Sequence, residues 1–165
     1  MLCRINIAGI IMDKKSNSPI ILLKSIDDDK GILIWIGILE AASIANALQK
    51  LTFDRPMTHD LFKNFIESLK ITVSNIEIYD LKENIYYAKI NFLSEESSFS
   101  LDARPSDAIA IALRSDALIY VDDRVFEKFK QMNGDTKIFD TSEEGKKRAE
   151  YLSNLKPEDF GKYKV

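Results

Sequence analysis

The sequence has 165 residues, enough for one domain with a sizeable core, and its 45% hydrophobic and 30% charged residues are ordinary for a globular protein. The formal net charge of −3 weighs against a surface coated with positive charge for nucleic acid, although a local basic groove is compatible with it. The single cysteine, Cys3, excludes an intrachain disulfide, and the single His59 has no partners for a structural zinc site. No apolar run has the length of a membrane span, so we expect a cytoplasmic protein without a membrane partner.

The first part of the chain predicts three strands and a helix. Apolar residues alternate with polar or small ones over Ile5–Ile11, which is typical of a strand with one apolar face. Continuous apolar runs at Ile20–Leu23 and Ile32–Ile36 predict two further strands. From Leu39 to Leu51 apolar residues recur at helical spacing. Glu40, in the first turn of this helix, either complements the helix dipole or faces a functional site.

A second helix is predicted after an Arg-Pro pair. Thr58 is the expected N-cap, Asp60 lies in the first turn, and apolar residues recur from Leu61 to Leu69. His59 at this helix start has two interpretations. A lone histidine is more often structural than catalytic, but a place beside a carboxylate at a helix start suits proton transfer.

The middle of the chain predicts an antiparallel meander that leads into a buried helix. Strands are expected at Ile71–Leu81, Ile85–Leu93 and Phe99–Asp102, with a hairpin turn at residues 82–84. A helix then runs from Pro105 to Arg114, because proline has its φ preset and no N–H to lose in a first turn. Its alanine-rich apolar sequence indicates burial.

The last predicted elements complete one domain. Leu118–Val121 predicts a short buried strand, and a further helix starts at Asp123. We expect a single compact domain over residues 1–133 and a C-terminal helical tail over residues 134–165, in which Ser142 caps a polar helix. The predicted fold class is α+β, with a mixed or antiparallel sheet and packed helices.

Two Arg-Pro stretches, Arg55–Asp60 and Arg104–Asp107, place charged residues at helix starts, where outward N–H groups and the helix dipole favour anions. No phosphate-binding glycine loop, nucleophile-elbow serine or HExxH motif accompanies them. The sequence offers carboxylates for a hard divalent cation, arginines for phosphate and a histidine for proton transfer: Glu40, Asp60, Asp102, Asp107, Arg55, Arg104 and His59. These groups suit phosphodiester hydrolysis, and they also suit a structural ion-pair network.

Four stretches, in one consistent order, resemble the bifunctional nuclease family: Ile34–Gly37 with Glu40-Ala41, Arg55–Leu61, Asp102–Ala110 and Leu155–Gly161. The resemblance covers nearly the whole chain. It implies a compact α+β domain, a homo-oligomer with a dimer favoured, and a nuclease that acts on both DNA and RNA. The site residues below are inferred from the matched polar positions.

The leading hypothesis is a nuclease that hydrolyses phosphodiester bonds. The predicted catalytic residues are His59, which acts as general base or acid, Asp60 and Asp107. The residues predicted to bind the substrate are Arg55, Arg104 and Ser106.

The same hypothesis includes a divalent metal, Mg²⁺ or Mn²⁺, and no organic cofactor. The predicted metal ligands are Asp102, Asp107 and Glu40. The alternative is a non-enzymatic oligomeric module that binds nucleic acid or has a regulatory role, in which these residues form a structural Arg/Asp network.

Overall fold

Seven strands and four helices make up the part of the chain that the computed structural model describes, residues 1–13 and 16–133. The strands are β1 (Leu2–Met12), β2 (Pro19–Ser25), β3 (Gly31–Trp35), β4 (Thr72–Lys82), β5 (Ile85–Leu93), β6 (Ser98–Ala103) and β7 (Leu118–Asp122). The helices are α1 (Ile38–Leu48), α2 (Thr58–Ser68), α3 (Pro105–Arg114) and α4 (Asp123–Asn133), and none of these four is long and apolar enough to cross a membrane. The predicted α+β class is confirmed. The tail predicted over residues 134–165, with its helix capped by Ser142, lies outside the described residues.

The strands form one mixed sheet in the order β3-β2-β1-β7-β4-β5-β6. Neighbouring strands are antiparallel except β4 and β7, which are parallel. The meander predicted from the middle of the chain is confirmed as β4, β5 and β6. Its turn holds Glu83 and Asn84 at φ values of 49° and 66°, which are typical of a two-residue hairpin.

β1 departs from the alternation expected of it. Ala8 is an extra residue in the pairing with β2, between Ile7 and Gly9. This bulge exchanges the two faces of the strand, so that Ile5 and Ile10 are the buried residues. The prediction of one continuous apolar face was therefore wrong beyond the bulge.

α3 is the central helix of the core. Its residues from Ala108 to Ala112 are all buried, as the alanine-rich sequence predicted. α1 and α2 pack against α3, which itself packs on β4 and β5, and small side chains allow this close approach. The packing also brings the N-terminal turns of the three helices together, where their polar residues meet.

α2 is less buried than its sequence pattern predicts. Ile66 is buried and Phe62 is partly buried, whereas Leu61, Phe65 and Leu69 are each more than half exposed. The apolar residues of α2 form one broad stripe, and only the edge of it that carries Phe62 and Ile66 meets the core. The sequence pattern does not indicate how much of such a stripe is buried.

The start of α2 also differs from the prediction. The helix begins at Thr58, and Met57 has the N-cap position that was expected for Thr58. Asp60 accounts for the difference, because its carboxylate accepts a hydrogen bond from the Met57 N–H at 3.0 Å. The first residue of α3 is Pro105, as predicted.

Candidate active site

The N-terminal turns of α1, α2 and α3 bring together a set of polar side chains, here called the His59 cluster. Its members are Glu40, Ser43, His59, Arg104 and Asp107. All of them line a cleft of about 360 Å³, called the His59 cleft. The two helix starts that the sequence marks with Arg-Pro pairs therefore meet in space.

His59 lies between two hydrogen-bonding partners. Its Nε2 is 3.2 Å from Asp107 Oδ1, and its Nδ1 is 2.9 Å from Ser43 Oγ. Because an ionised carboxylate only accepts hydrogen bonds, Nε2 carries the ring proton and donates it to Asp107. Nδ1 of the neutral ring then accepts a hydrogen bond from the Ser43 hydroxyl. The side chain is 18% exposed, so it is fixed in orientation and still reachable from the cleft.

Asp107 is kept ionised by its neighbours. Partial burial raises the pKa of its carboxyl, but the hydrogen bonds from Arg104 and His59 and the charge of Arg104 outweigh burial and hold that pKa below its usual value. The same pairing raises the pKa of Arg104. Both side chains are therefore charged at neutral pH, as the hydrogen bonds of His59 require.

Arg104 connects the first turn of α3 to α1. Its Nε and Nη2 donate to Asp107 at 2.7 and 3.0 Å, and its Nη1 donates to Glu40 Oε1 at 2.9 Å. The side chain remains 65% exposed, so its other N–H groups are open to a ligand. Gly37 makes room for this arrangement, because a Cβ at that position would overlap the Glu40 carboxylate.

Asp60, a predicted catalytic residue, has different partners. Its carboxylate binds Arg114 Nε at 2.5 Å as well as the Met57 N–H. Burial raises the pKa of Asp60, but these two donors outweigh it and lower that pKa. The side chain of Arg114 is only 8% exposed, and it also donates to the backbone carbonyl of Ser43. Asp60 is thus connected to the His59 cluster only indirectly, through Arg114, which fixes the backbone of Ser43.

Besides Asp60, three predicted site residues lie outside the His59 cluster. Asp102, near the end of β6, has its Oδ1 3.5 Å from the Tyr79 hydroxyl. Ser106 is buried in the first turn of α3. Both line a neighbouring cleft rather than the His59 cleft. Arg55 is exposed before α2 and forms no ion pair or hydrogen bond with residues 1–13 or 16–133.

The neighbouring cleft, called the aromatic cleft, has a volume of about 420 Å³. It is lined by Trp35, Tyr86 and Tyr87 and shares Glu40 and Arg104 with the His59 cleft. Trp35 is 49% exposed. The Arg104–Glu40 ion pair therefore forms the boundary between a polar cleft and a cleft with aromatic walls.

The predicted metal ligands are not arranged as a group. Among the described residues, no three His, Cys, Asp or Glu side chains are placed to hold a metal ion. Glu40 and Asp107 both bind the positive charge of Arg104, so a metal at these carboxylates would require Arg104 to leave them. Dependence on Mg²⁺ or Mn²⁺ remains a prediction from the sequence.

Ser43 and Arg114 contact the site residues but were not predicted from the sequence. Ser43 follows Glu40 by three positions, a spacing that puts both on one face of a helix, and this was the signal available. Arg114 ends α3, where a basic residue ordinarily complements the helix dipole. Its contact with Asp60 depends on how α2 packs against α3, which the sequence pattern does not give.

Comparison with known proteins identifies the family. The family model described as the bifunctional nuclease domain matches residues 21–133. The chain is similar to an uncharacterized protein of Mycobacterium tuberculosis, with 34% identity over 161 residues that cover 94% of this chain and 96% of that protein. The chain belongs to the bifunctional nuclease domain family.

Plant proteins give a partial match. The protein named bifunctional nuclease 1 of Oryza sativa subsp. japonica is 32% identical over 110 residues, which cover 64% of this chain and 33% of the rice protein. The Arabidopsis thaliana protein of the same name is 31% identical over 102 residues, which cover 58% of this chain and 31% of that protein. This chain thus matches about a third of each plant protein.

Proposed function

We propose that this protein hydrolyses phosphodiester bonds of nucleic acid at the His59 cluster. The observation that carries the proposal is that a base, His59, and a phosphate-binding group, Arg104, are both held by one carboxylate, Asp107. Family membership and the name of the plant relatives support a nuclease. We extend the proposal to both DNA and RNA, as the family resemblance implies.

Each residue of the site has a distinct part in this reaction. Arg104 binds the scissile phosphate through N–H groups that its carboxylate partners leave open. His59 removes a proton from the attacking group at Nδ1, and Asp107 stabilises the imidazolium that results. Glu40 orients Arg104 from α1. The site works as a positioned base beside a positioned guanidinium.

The structural alternative accounts for Asp60 better than for Arg104. The Asp60–Arg114 pair neutralises a buried guanidinium, which is a structural part. Arg104 is largely exposed, and an exposed ion pair contributes only about 0–1 kcal/mol to stability. A network of carboxylates around a solvent-facing arginine is better explained by ligand binding than by stability.

The aromatic cleft supports a nucleic-acid substrate. Exposed aromatic side chains such as Trp35 stack on bases without regard to sequence. A phosphate at Arg104 would lie where the two clefts meet, so an adjacent base could enter the aromatic cleft. The net charge of −3 is consistent with a nucleic-acid strand that the protein contacts at only a few phosphates.

An exposed apolar stripe on α2 supports the homo-oligomer that the resemblance implies, with a dimer favoured. Met57, Leu61, Phe65 and Leu69 follow one another at four-residue intervals, and each is more than half exposed. A stripe of this kind suits burial against another subunit. Light scattering of the purified chain measures the oligomeric state.

Cleavage assays with a matched variant test the proposed function. Purified wild type and His59→Gln are incubated with end-labelled single- and double-stranded DNA and RNA, in EDTA, Mg²⁺ or Mn²⁺. We expect wild type to cleave, and His59→Gln to lower kcat/KM by about 10²- to 10⁴-fold, the usual contribution of a general base. The metal series tests the predicted dependence on Mg²⁺ or Mn²⁺ in the same experiment.

A control variant distinguishes this activity from a contaminating nuclease. Asn64 is exposed on α2, so Asn64→Ala, purified in parallel, should cleave as wild type does. The proposal is wrong if wild type cleaves no substrate under any of the metal conditions, or if His59→Gln cleaves at the wild-type rate.

A further inference from the structure

Ser43 is held at both its backbone and its hydroxyl. It lies in the second turn of α1, partly buried, and lines the His59 cleft. Its carbonyl accepts hydrogen bonds from Arg114 Nη1 and Nη2, both at 3.3 Å. Its Oγ is 2.9 Å from His59 Nδ1. A hydroxyl fixed within hydrogen-bonding reach of a base and open to a cleft has the surroundings of a nucleophile.

The hydrogen bonds of His59 determine which group it can deprotonate. Asp107 accepts a hydrogen bond from the protonated Nε2. The lone pair through which His59 can act as a base is therefore on Nδ1. That lone pair already accepts from the Ser43 hydroxyl. A water molecule could reach Nδ1 only by displacing Ser43, and the first proton that His59 can take is therefore that of Ser43.

We propose that Ser43 is the nucleophile of this site and that cleavage passes through a phosphodiester linked to Ser43. The identity of the substrate rests on the nuclease function proposed above. The activation of Ser43 does not, because it depends only on the contacts of Ser43, His59 and Asp107.

The three residues have the roles of a Ser-His-Asp triad with the ring nitrogens exchanged. In the familiar hydrolase arrangement Nε2 faces the serine and Nδ1 faces the aspartate. Here Nδ1 faces Ser43 and Nε2 faces Asp107. Either nitrogen can accept a proton while the other donates, so the exchange preserves the chemistry.

The reaction has two balanced steps. Ser43 Oγ forms a bond to phosphorus as its proton passes to His59 Nδ1. The bond from phosphorus to the leaving nucleoside oxygen breaks, and that oxygen keeps the electron pair and takes the proton from Nδ1, which gives an alcohol. Water then attacks phosphorus with His59 as base, the bond to Ser43 breaks with return of a proton to Oγ, and a terminal phosphate monoester is released.

A fluorophosphonate probe tests the nucleophile without any nucleic acid. The full-length purified chain is treated with the probe and analysed by intact mass and peptide mapping. The serine oxygen bonds to phosphorus, fluoride leaves, and the mass rises by one phosphonyl group. We expect the label on Ser43 in wild type, none in Ser43→Ala, and a labelling rate lowered by at least about 100-fold in His59→Gln.

A second serine provides the matched control. Ser68 lies at the far end of α2, where its Oγ donates to the Phe65 carbonyl. Ser68→Ala should label as wild type does. Peptide mapping of wild type names the labelled residue directly, so the result does not depend on the folding of any variant.

Cleavage by Ser43→Ala completes the test. We expect its rate to fall by at least about 100-fold, with a melting temperature close to that of wild type because alanine is a good helix former. The inference is overturned if wild type is not labelled, if the label lies on another residue, or if Ser43→Ala cleaves at the wild-type rate. Labelling of Ser43 in a wild-type chain that cleaves no nucleic acid would support the nucleophile and overturn the nuclease function alone.

Discussion

The two Arg-Pro helix starts have similar sequences and different surroundings. In both helices an aspartate has the third position, Asp60 in α2 and Asp107 in α3. Arg104 is itself the N-cap of α3, so it can bind Asp107 one turn away. Arg55 precedes the N-cap of α2 by two residues and stays exposed, and Asp60 binds Arg114 instead.

This difference indicates that the position of the arginine relative to the helix start decides which arginine the aspartate binds. Asp60 caps its own helix and neutralises a buried guanidinium. Asp107 holds an exposed guanidinium and the only histidine of the chain. Asp60 thus holds a buried guanidinium, whereas Asp107 lines the His59 cleft.

The largest expected contrast is the loss of activity when each aspartate becomes an asparagine. Asp107→Asn removes the charge that keeps the proton on His59 Nε2, and its amide can donate to the ring and favour the wrong tautomer. We expect kcat to fall by about 10³- to 10⁴-fold, as loss of the carboxylate does in a Ser-His-Asp site. Asp60→Asn can still accept from Arg114 and should lose less than about tenfold.

Single-turnover cleavage of one labelled oligonucleotide by both variants measures this contrast. Circular dichroism of each variant confirms that the fold is intact. Equal losses in the two variants would mean that Asp107 has no special relation to His59, and the division between the two helix starts would be wrong.

Sequence patterns predicted the local structure at the start of α3 well. Pro105 and the alanine-rich run after it define α3 from its first residue, because they depend only on neighbours along the chain. The insertion of β7 between β1 and β4 could not be predicted in this way, since it depends on strands far apart in sequence.

The candidate site was predictable in the same uneven way. His59 and Asp107 could be selected because charged residues at helix starts are recognisable in the sequence. Ser43 could not, because a serine on an amphipathic helix is ordinary and its contact with His59 comes only from the packing of α1 and α2 against α3. Arg55 and Arg104 look alike in sequence, and only the exact residue at which each helix begins separates them.

A smaller contrast is expected between the two arginines. Arg104→Ala removes the group that we propose to bind the scissile phosphate, and we expect KM to rise by about 10- to 100-fold, since a hydrogen bond to a charged group contributes about 1.5–3 kcal/mol. Arg55→Ala should change KM less than about twofold, because Arg55 lies outside both clefts.

Steady-state kinetics at several salt concentrations separates the two variants further. Arg104→Ala should reduce the salt dependence of KM by about one phosphate contact, and Arg55→Ala should leave it unchanged. A rise in KM for Arg55→Ala as large as that for Arg104→Ala would show that the stretch before α2 also binds the substrate.

The smallest contrast is in the pH dependence of stability. The folded pKa of Asp60 is lowered below its usual value of 3.8, so its ion pair stabilises the fold above about pH 4, and this contribution is lost as the pH falls through the lowered pKa. Asp60→Asn should therefore lower the free energy of unfolding at pH 7 by about 2 kcal/mol, and the difference from wild type should shrink as the pH falls below 4.

Asp107→Asn should show the same sign with a smaller size. The pKa of Asp107 is also lowered, but its partner Arg104 is 65% exposed whereas Arg114 is 8% exposed. Water screens the exposed pair, so its loss should cost less than about 1 kcal/mol at pH 7. Urea unfolding of the three proteins between pH 3 and pH 7 measures both differences. If Asp107→Asn lowers the free energy of unfolding more than Asp60→Asn does, the comparison between the two aspartates is wrong. The Asp107–Arg104 pair would then stabilise the fold more than the pair that contains the buried Arg114.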